Sequence, residues 1–245
     1  MNDNDQVDNF LQHRKRFLPQ LSHEARSLLA SMVAIIDLLR GGEYGPLPAS
    51  VDEGLTLAAE TAARLRKLLD DSMELERLEL GSSPHRPARI ALKELTASVV
   101  AGLGPDWRAL ALRLPRGELH VIADAAGLAR AMGILLANAA GFSPPGTTVE
   151  IACELRDEGK VRWSVADRGP GVPAWFEARI FGRFERAGHV AAGASPSGIG
   201  LGLCIARAAV RRDGGEVGFS NRPGGGAEFH IDLPAEVLAG EGRAL

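Results

Sequence analysis

The chain has 245 residues, of which 45% are hydrophobic and 24% are charged, and its formal net charge at pH 7 is −3. This length and apolar content suffice for one or two folded domains. The small negative charge excludes the basic footprint of a nucleic-acid-binding or anionic-membrane-binding protein. No charged-then-apolar leader is visible and the longest apolar run is too short to cross a bilayer, so we expect a cytoplasmic protein without a membrane span. Cys153 and Cys204 have no Cys or His at ligand spacing, which predicts two free thiols.

The first part of the chain has the pattern of two long helices joined by a loop. Between residues 21 and 39 apolar residues recur at spacings of 4, 3, 4, 3 and 4, which forms a heptad seam: Leu21, Ala25, Leu28, Met32, Ile35 and Leu39. Residues 41–50 contain glycines and prolines that end this helix, and a second apolar stripe follows over residues 55–80. Two helices bury little of such a seam, so the pattern predicts a homodimer in which two hairpins form a four-helix bundle.

The remaining chain has a mixed pattern. Residues 81–88 are rich in Gly, Ser and Pro and predict a linker between a hairpin at 10–80 and a second domain at 89–234. We expect a disordered N-terminus over residues 1–9 and a loose tail over 235–245. Periodicity predicts helices over 91–103, 125–142 and 203–212 and strands over 119–123, 148–155, 161–167, 216–220 and 227–233. The fold class is therefore α+β, with helices on one face of a sheet.

Two polar residues of the second domain are candidates for ligand contacts. Asn138 lies in an apolar helix, where an amide is either a satisfied core group or an oxygen ligand to Mg²⁺. Asp167 ends a strand and precedes a turn that contains Gly169 and Gly171. Such an aspartate either begins an ordinary turn or accepts a hydrogen bond from an exocyclic amine such as that of adenine.

A glycine ladder opens the last predicted helix. Gly198, Gly200 and Gly202 alternate with Ile199 and Leu201. This pattern is compatible with plain close packing, and it is also compatible with a phosphate site, because glycines let an anion approach the N–H groups of a helix start. No Gly-x-x-x-x-Gly-Lys-Ser/Thr element is present and the glycines miss the dinucleotide spacing, so neither a P-loop nor a dinucleotide fold is indicated.

Taken in chain order, these segments resemble the N, G1, F and G2 boxes of the histidine-kinase catalytic domain, which belongs to the GHKL ATPase superfamily. The F box corresponds to Ile180-Phe181-x-x-Phe184. The resemblance implies an α/β sandwich of GHKL type that binds ATP and Mg²⁺, with Mg²⁺ on Asn138 and a mobile lid over residues 187–197. The implied nucleotide-binding residues are Asn138, Phe142, Asp167, Gly169, Gly171, Arg186, Gly198, Gly200, Leu201 and Gly202.

Residues 17–29, Phe-Leu-Pro-Gln-Leu-Ser-His-Glu-Ala-Arg-Ser-Leu-Leu, resemble the phospho-acceptor box of the dimerisation and histidine-phosphotransfer domain. His23 lies two residues past Leu21 of the seam, so we expect it to point outward. The resemblance implies a protein histidine kinase that autophosphorylates His23 and passes the phosphoryl group to an aspartate of a response regulator receiver domain. It implies that Glu24 orients His23 and takes its proton, and that Ser27 takes part in dephosphorylating the regulator; a merely solvated serine is the alternative.

Two positions depart from the family pattern. Ile134 stands where many members carry a polar residue, and Gly141 stands where a phosphate-contacting cation is frequent. These departures keep open a non-catalytic phosphotransfer or scaffold protein with a degenerate ATP site. A GHKL serine kinase or ATPase is a further alternative. We expect the signal to arrive through a separate sensor protein or from a longer chain of which this is the core.

Overall fold

The computed structural model describes residues 3–42, 45, 47–104, 110–114, 117–156, 159–187 and 199–236, with side chains from residue 22 onward. The chain divides into two compact units, Met1–Arg77 and Leu78–Leu245. The predicted boundary between residues 80 and 81 lies next to this division.

The first unit contains two long helices, α1 (Asp3–Arg40) and α2 (Ala49–Glu79). Arg40 pairs with Asp52 across the loop at 2.9 Å, and Arg26 pairs with Asp70 at 2.6 Å, so the helices run antiparallel as a hairpin. The prediction of disorder over residues 1–9 is wrong for residues 3–9, which belong to α1. These residues include neither glycine nor proline, so nothing in them ends the helix.

The face that α1 buries within a single chain is not the predicted seam. Leu29 and Ile36 are buried, with exposed fractions of 9% and 6%, whereas Leu28, Met32 and Ile35 are exposed at 69%, 49% and 57%. The buried residues follow the seam positions Leu28 and Ile35 by one. Because one residue turns a helix by about 100°, the hairpin uses one face internally and leaves the seam as an apolar stripe at its surface.

The second unit is built on a mixed five-stranded sheet and a separate two-stranded sheet. The large sheet has the order β2-β4-β5-β7-β6, with β2 parallel to β4 and all other neighbours antiparallel, and the small sheet pairs β1 with β3. The strands are β1 Pro87–Ala91, β2 Leu110–Arg113, β3 His120–Asp124, β4 Val149–Arg156, β5 Lys160–Ala166, β6 Glu216–Asn221 and β7 Ala227–Pro234. The helices are α3 Leu92–Ala101, α4 Ala125–Phe142 and α5 Gly202–Arg212, with a 3₁₀ helix at Ala174–Arg179.

The core of this unit lies between the large sheet and α4, and α4 packs against α5. Helix α4 has the length and hydropathy of a membrane span. Six of its residues are instead buried in the core, which is what makes a central helix of a folded domain so apolar: Leu128, Ala131, Met132, Leu135, Leu136 and Ala139. The predicted α+β class is confirmed, and both cysteines are buried free thiols.

Three elements were missed by the sequence prediction: β1, β2 and the 3₁₀ helix. Strand β1 begins inside the predicted linker. It was missed because its own residues show no alternation and its partner β3 lies far along the chain. The predicted loose tail is wrong at its start. Ala235 donates its N–H to the Gly159 carbonyl at 2.8 Å, and Glu236 pairs with Arg89 at 2.6 Å. Residues 237–245 lie outside the described ranges.

Candidate active site

Asp167 lies directly after β5 and is 3% exposed. Its Oδ1 accepts hydrogen bonds from the backbone N–H groups of Gly169 at 2.8 Å and Ala227 at 3.1 Å. Burial raises the pKa of this carboxyl above its ordinary value, while the two N–H donors and the Arg222 guanidinium act in the opposite direction. In the part of the chain that the structure describes, no residue hydrogen-bonds to Oδ2. This oxygen can therefore accept a hydrogen bond from an amine of a ligand.

The turn after Asp167 lies against the end of α4. A Cβ added to Gly169 would come within 2.7 Å of the Phe142 carbonyl oxygen, so only glycine allows this approach. Asn221 holds the same turn from the other side, since its Oδ1 accepts from the Val172 N–H at 2.7 Å and its Nδ2 donates to the Val172 carbonyl at 2.8 Å. Asn221 was missed by the sequence reasoning, and no local spacing signal marks it.

The F box and the G2 box meet through their backbones. The Phe184 N–H donates to the Gly200 carbonyl at 2.9 Å, with Phe184 at φ 59° and Gly200 at φ 82°. A Cβ on Gly200 would lie 2.7 Å from the Glu185 carbonyl oxygen, so this position requires glycine on two grounds. Leu201 is buried and α5 begins at Gly202, which places the free N–H groups of a helix start beside this contact.

Asn138 lies on α4 between these two segments. Ile134, Asn138 and Phe142 are spaced by four residues and share one face of the helix. At one end of this face the Phe142 carbonyl meets Gly169, and at the other end a Cβ on Gly202 would lie 3.2 Å from Ile134 Cγ2. The face therefore joins the Asp167 turn to the start of α5. Asn138, midway along it and half-buried, forms no hydrogen bond through its side chain to any residue that the structure describes.

These features fit a nucleotide with its metal ion. Asn138 offers an amide oxygen, a ligand type that Mg²⁺ accepts, and nucleotide phosphates commonly complete such a coordination shell. Among the described residues no group of three His, Cys, Asp or Glu side chains could hold a metal on its own. A metal at Asn138 would therefore depend on a bound phosphate ligand.

On the first unit, the predicted phospho-acceptor residues are accessible. His23, Glu24 and Ser27 are all exposed on α1 in the single chain, which is compatible with the outward orientation expected for His23. Arg26, in the same helical turn, is held by its pair with Asp70 of α2. The hairpin thus supports the predicted acceptor segment, while His23, Glu24 and Ser27 face solvent.

Comparisons with known proteins agree with this division. Residues 13–81 match the His Kinase A (phospho-acceptor) domain, and residues 123–237 match the family of Histidine kinase-, DNA gyrase B-, and HSP90-like ATPases. The chain belongs to the two-component histidine kinases.

Similar proteins include Probable sensor histidine kinase TcrY of Mycobacterium tuberculosis, with 31% identity over 91% of this chain and 46% of the relative. Histidine protein kinase DivJ of Caulobacter vibrioides has 31% identity over 90% of this chain and 37% of the relative. The crystal structure of full-length ShkA in complex with AMPPNP has a TM-score of 0.72 and 28% identity, over 91% of this chain and 46% of that one. The chain spans less than half the length of these relatives.

Two further predicted nucleotide-binding residues, Arg186 and Gly171, lie within the described part of the chain, and Gly198 does not. Arg186 is exposed and follows the F box, and Gly171 adopts φ 77° within the turn after Asp167. The predicted lid from residue 188 onward lies outside the described residues, as Gly198 does. Ile134 and Gly141 are both half-buried on α4. The contact of Ile134 with the Gly202 position gives the first departure from the family pattern a packing role.

Proposed function

We propose that this histidine kinase core binds ATP with Mg²⁺ in its second unit, transfers the γ-phosphoryl group to His23, and passes it on to an aspartate of a response regulator receiver domain. The observation that carries the proposal is the α4 face of Ile134, Asn138 and Phe142, which joins the Asp167 turn to the glycine-rich start of α5. One end of this face presents a carboxylate oxygen and the other end presents helix N–H groups, as an adenine base and a phosphate chain require.

Each residue of the site has a defined part in holding the nucleotide. Asp167 Oδ2 accepts a hydrogen bond from the exocyclic amine of adenine, and Asn138 supplies an oxygen ligand for Mg²⁺. The backbone around Gly200, Leu201 and Gly202 receives the phosphates, with Arg186 as an additional cation. Bound Mg²⁺ supplies charge compensation on the phosphates. Most of the catalysis in phosphoryl transfer is such positioning and charge stabilisation.

The acceptor chemistry belongs to His23 and Glu24. A neutral imidazole is a nucleophile at physiological pH, and its ring nitrogen forms a bond to the γ-phosphorus while the bond from that phosphorus to the bridging oxygen breaks, releasing ADP. The positive charge that develops on the ring is relieved when Glu24 takes the ring proton. In the second transfer the N–P bond breaks and the regulator's aspartate oxygen forms the new O–P bond.

The exposed seam of α1 supports a homodimer formed by the hairpin, because Leu28, Met32 and Ile35 form an apolar stripe with no cover in the single chain. We expect Ile35→Glu to convert the dimer to a monomer in size-exclusion chromatography with light scattering, with Ala30→Glu, at an exposed position on the opposite side of the same helix, as the matched control. We further propose that this kinase acts in the cytoplasm and that its signal comes from a separate sensor protein or from a longer chain. Ser27 would take part in dephosphorylation of the regulator.

The decisive experiment is incubation of the purified chain with γ-³²P-ATP and Mg²⁺. We expect acid-labile, base-stable label on the wild type, none on His23→Ala, and loss of at least about tenfold on Asn138→Ala. Ser31→Ala, an exposed substitution two turns along α1, is the control and labels like the wild type. Equal labelling of wild type, His23→Ala and Asn138→Ala would overturn the proposal, and acid-stable label on a partner serine would favour the serine kinase instead.

One second candidate rests on the side chains at Ile134 and Gly141, which offer neither a polar group nor a cation to a nucleotide. In it the hairpin accepts a phosphoryl group from another protein and the second unit does not turn over ATP. Under that alternative the chain remains unlabelled with ATP alone, while a phosphorylated partner transfers label to the wild type and not to His23→Ala.

A further inference from the structure

An ion-pair network lies behind the Asp167 turn and connects three elements that are distant in sequence. Glu150 on β4 accepts hydrogen bonds through Oε1 from Arg168 Nη2 at 2.8 Å and from Arg222 Nη2 at 3.0 Å. Arg222, in the turn between β6 and β7, also donates from Nη1 to the Asp167 backbone carbonyl at 3.2 Å. Arg222 therefore ties Asp167 directly to Glu150.

This network is sheltered enough to hold a fixed geometry. Glu150 and Arg222 are 19% and 20% exposed at their side chains, and Arg113 stands 3.7 Å from the second Glu150 oxygen. The hydrogen bond and charge of Arg222 lower the pKa of Glu150, so the carboxylate is ionised at neutral pH. Partly buried charge-assisted hydrogen bonds are stronger than exposed surface pairs.

The network completes the hydrogen bonding of Asp167 on the side away from the ligand. The Asp167 N–H donates to the Ala227 carbonyl at 2.9 Å, its carbonyl accepts from Arg222, and its Oδ1 accepts from Gly169 and Ala227. With these atoms engaged, the orientation of the carboxylate is set by the backbone that Arg222 holds. Among the polar atoms of Asp167, Oδ2 alone has no hydrogen-bond partner in the described part of the chain, so it remains available to a ligand.

We propose that Arg222 and Glu150 are positioning residues for base selection: they hold the Asp167 backbone so that Oδ2 meets the exocyclic amine of an adenine nucleotide and disfavours a base with a carbonyl there. The proposal rests on the nucleotide site of the proposed function. Its consequence is that the preference for ADP over inosine diphosphate, which carries a carbonyl in place of the amine, depends on residues that act through the Asp167 backbone.

A second arginine on the same sheet provides a matched control. Arg162 on β5 forms a bidentate pair with Asp232 on β7, at 2.7 Å and 2.6 Å, and both side chains are 24% exposed. This pair is similar to the Arg222–Glu150 pair in burial and makes no hydrogen bond to Asp167. Arg162→Met therefore reports the general cost of losing a partly buried ion pair from this sheet.

The experiment measures the affinities of the full chain for ADP and for inosine diphosphate, with Mg²⁺, by calorimetry, together with the melting temperature. We expect Arg222→Met to lower the ratio of the two affinities by about fivefold or more and Glu150→Gln to lower it by a smaller factor. Arg222→Lys retains the charge but not the planar fork, and we expect an intermediate ratio. Arg162→Met lowers the melting temperature while its ratio stays within about twofold of the wild type.

The outcomes separate this inference from the function on which it rests. If Asp167→Asn abolishes the preference for ADP while Arg222→Met and Glu150→Gln leave it unchanged, the positioning role is wrong and the nucleotide site stands. If Arg162→Met lowers the ratio as much as Arg222→Met, the network is only a source of stability and the inference is overturned. If Asp167→Asn itself leaves the ratio unchanged, the base site is wrong as well. Should Arg222→Met fail to fold, Glu150→Gln decides alone.

Discussion

The two units present their reactive groups in opposite ways. His23, Glu24 and Ser27 stand exposed on α1, whereas Asp167 is almost fully buried and hydrogen-bonded on the second unit. A group that exchanges a phosphoryl with other proteins must be reachable, while a group that selects a small ligand works best in a fixed, sheltered position. Substitutions at the acceptor segment should therefore change activity with little change in stability, and substitutions that disturb the close packing around the nucleotide site should lower both activity and stability.

The largest effect is expected for Gly200→Ala. The substitution places a Cβ against the Glu185 carbonyl oxygen in a backbone with φ 82°, so it must distort the joint between the F and G2 boxes. We expect a loss of about 3 kcal/mol in the free energy of unfolding and no measurable ADP binding. Urea denaturation and calorimetry check both values. An unchanged stability would contradict the coupling between packing and nucleotide binding in this unit.

Asp167→Asn tests whether the buried carboxylate of the second unit contributes to stability. Burial raises the pKa of Asp167 above its ordinary value of 3.8, so the folded state binds this proton more tightly than the unfolded state does, and ionisation lowers stability as pH rises through this range. Asparagine keeps an Oδ1 acceptor for Gly169 and Ala227 and has no charge to bury. At pH 7 we expect an equal or higher free energy of unfolding than in the wild type.

The same variant should lose nucleotide affinity, because a neutral amide replaces the charged acceptor. We expect ADP to bind at least about tenfold more weakly. A drop in both stability and affinity would mean that the carboxylate is structural rather than a recognition group. Asp52→Asn on α2, which loses an exposed pair with Arg40, is the control and should leave ADP binding unchanged.

The pH dependence of ADP binding sharpens this point. The ionised carboxylate accepts a hydrogen bond from the adenine amine, so the affinity for ADP should fall as pH decreases through the raised pKa of Asp167. This fall should begin at a higher pH than it would for an exposed aspartate. Calorimetric titrations at a series of pH values measure the profile. Asp167→Asn should lack this part of the profile, and a profile identical in both proteins would contradict the assignment.

The smallest effect is expected in the first unit. Gly54 lies in α2, where an added Cβ would meet no atom within 4 Å. Gly54→Ala should raise the free energy of unfolding by about 0.5–1 kcal/mol, since alanine loses less backbone entropy in a helix. Denaturation measures the gain, and His23 labelling should not change. The contrast with Gly200→Ala would show that glycines are tolerated in the hairpin but required in the nucleotide site.

Local sequence patterns were sufficient to predict helix α4, the apolar seam of α1 and the candidate residues of the nucleotide site. Asn138, Asp167 and the glycine ladder were each singled out by a pattern of a few neighbouring residues, and their order along the chain carried the resemblance to the kinase catalytic domain. Helix α4 was predicted with its observed bounds because its apolar character extends over the whole helix. The apolar seam of α1 was equally visible. The exposure of this seam in the single chain agrees with the prediction that it needs a further helical partner. That α1 instead buries Leu29 and Ile36 within the hairpin was not predicted, because periodicity shows that a stripe is apolar and not which neighbour covers it.

The two units and the residues proposed for the acceptor and nucleotide sites could be predicted from the sequence, because they rest on short motifs and on the order of those motifs along the chain. The tertiary structure alone decided what supports Asp167. Arg222 is 55 residues from Asp167 and 72 residues from Glu150, and Asn221 is 49 residues from Val172. Strand β1 likewise depends on its pairing with β3. No local pattern records such contacts, because they exist only once sheet register brings the distant segments side by side.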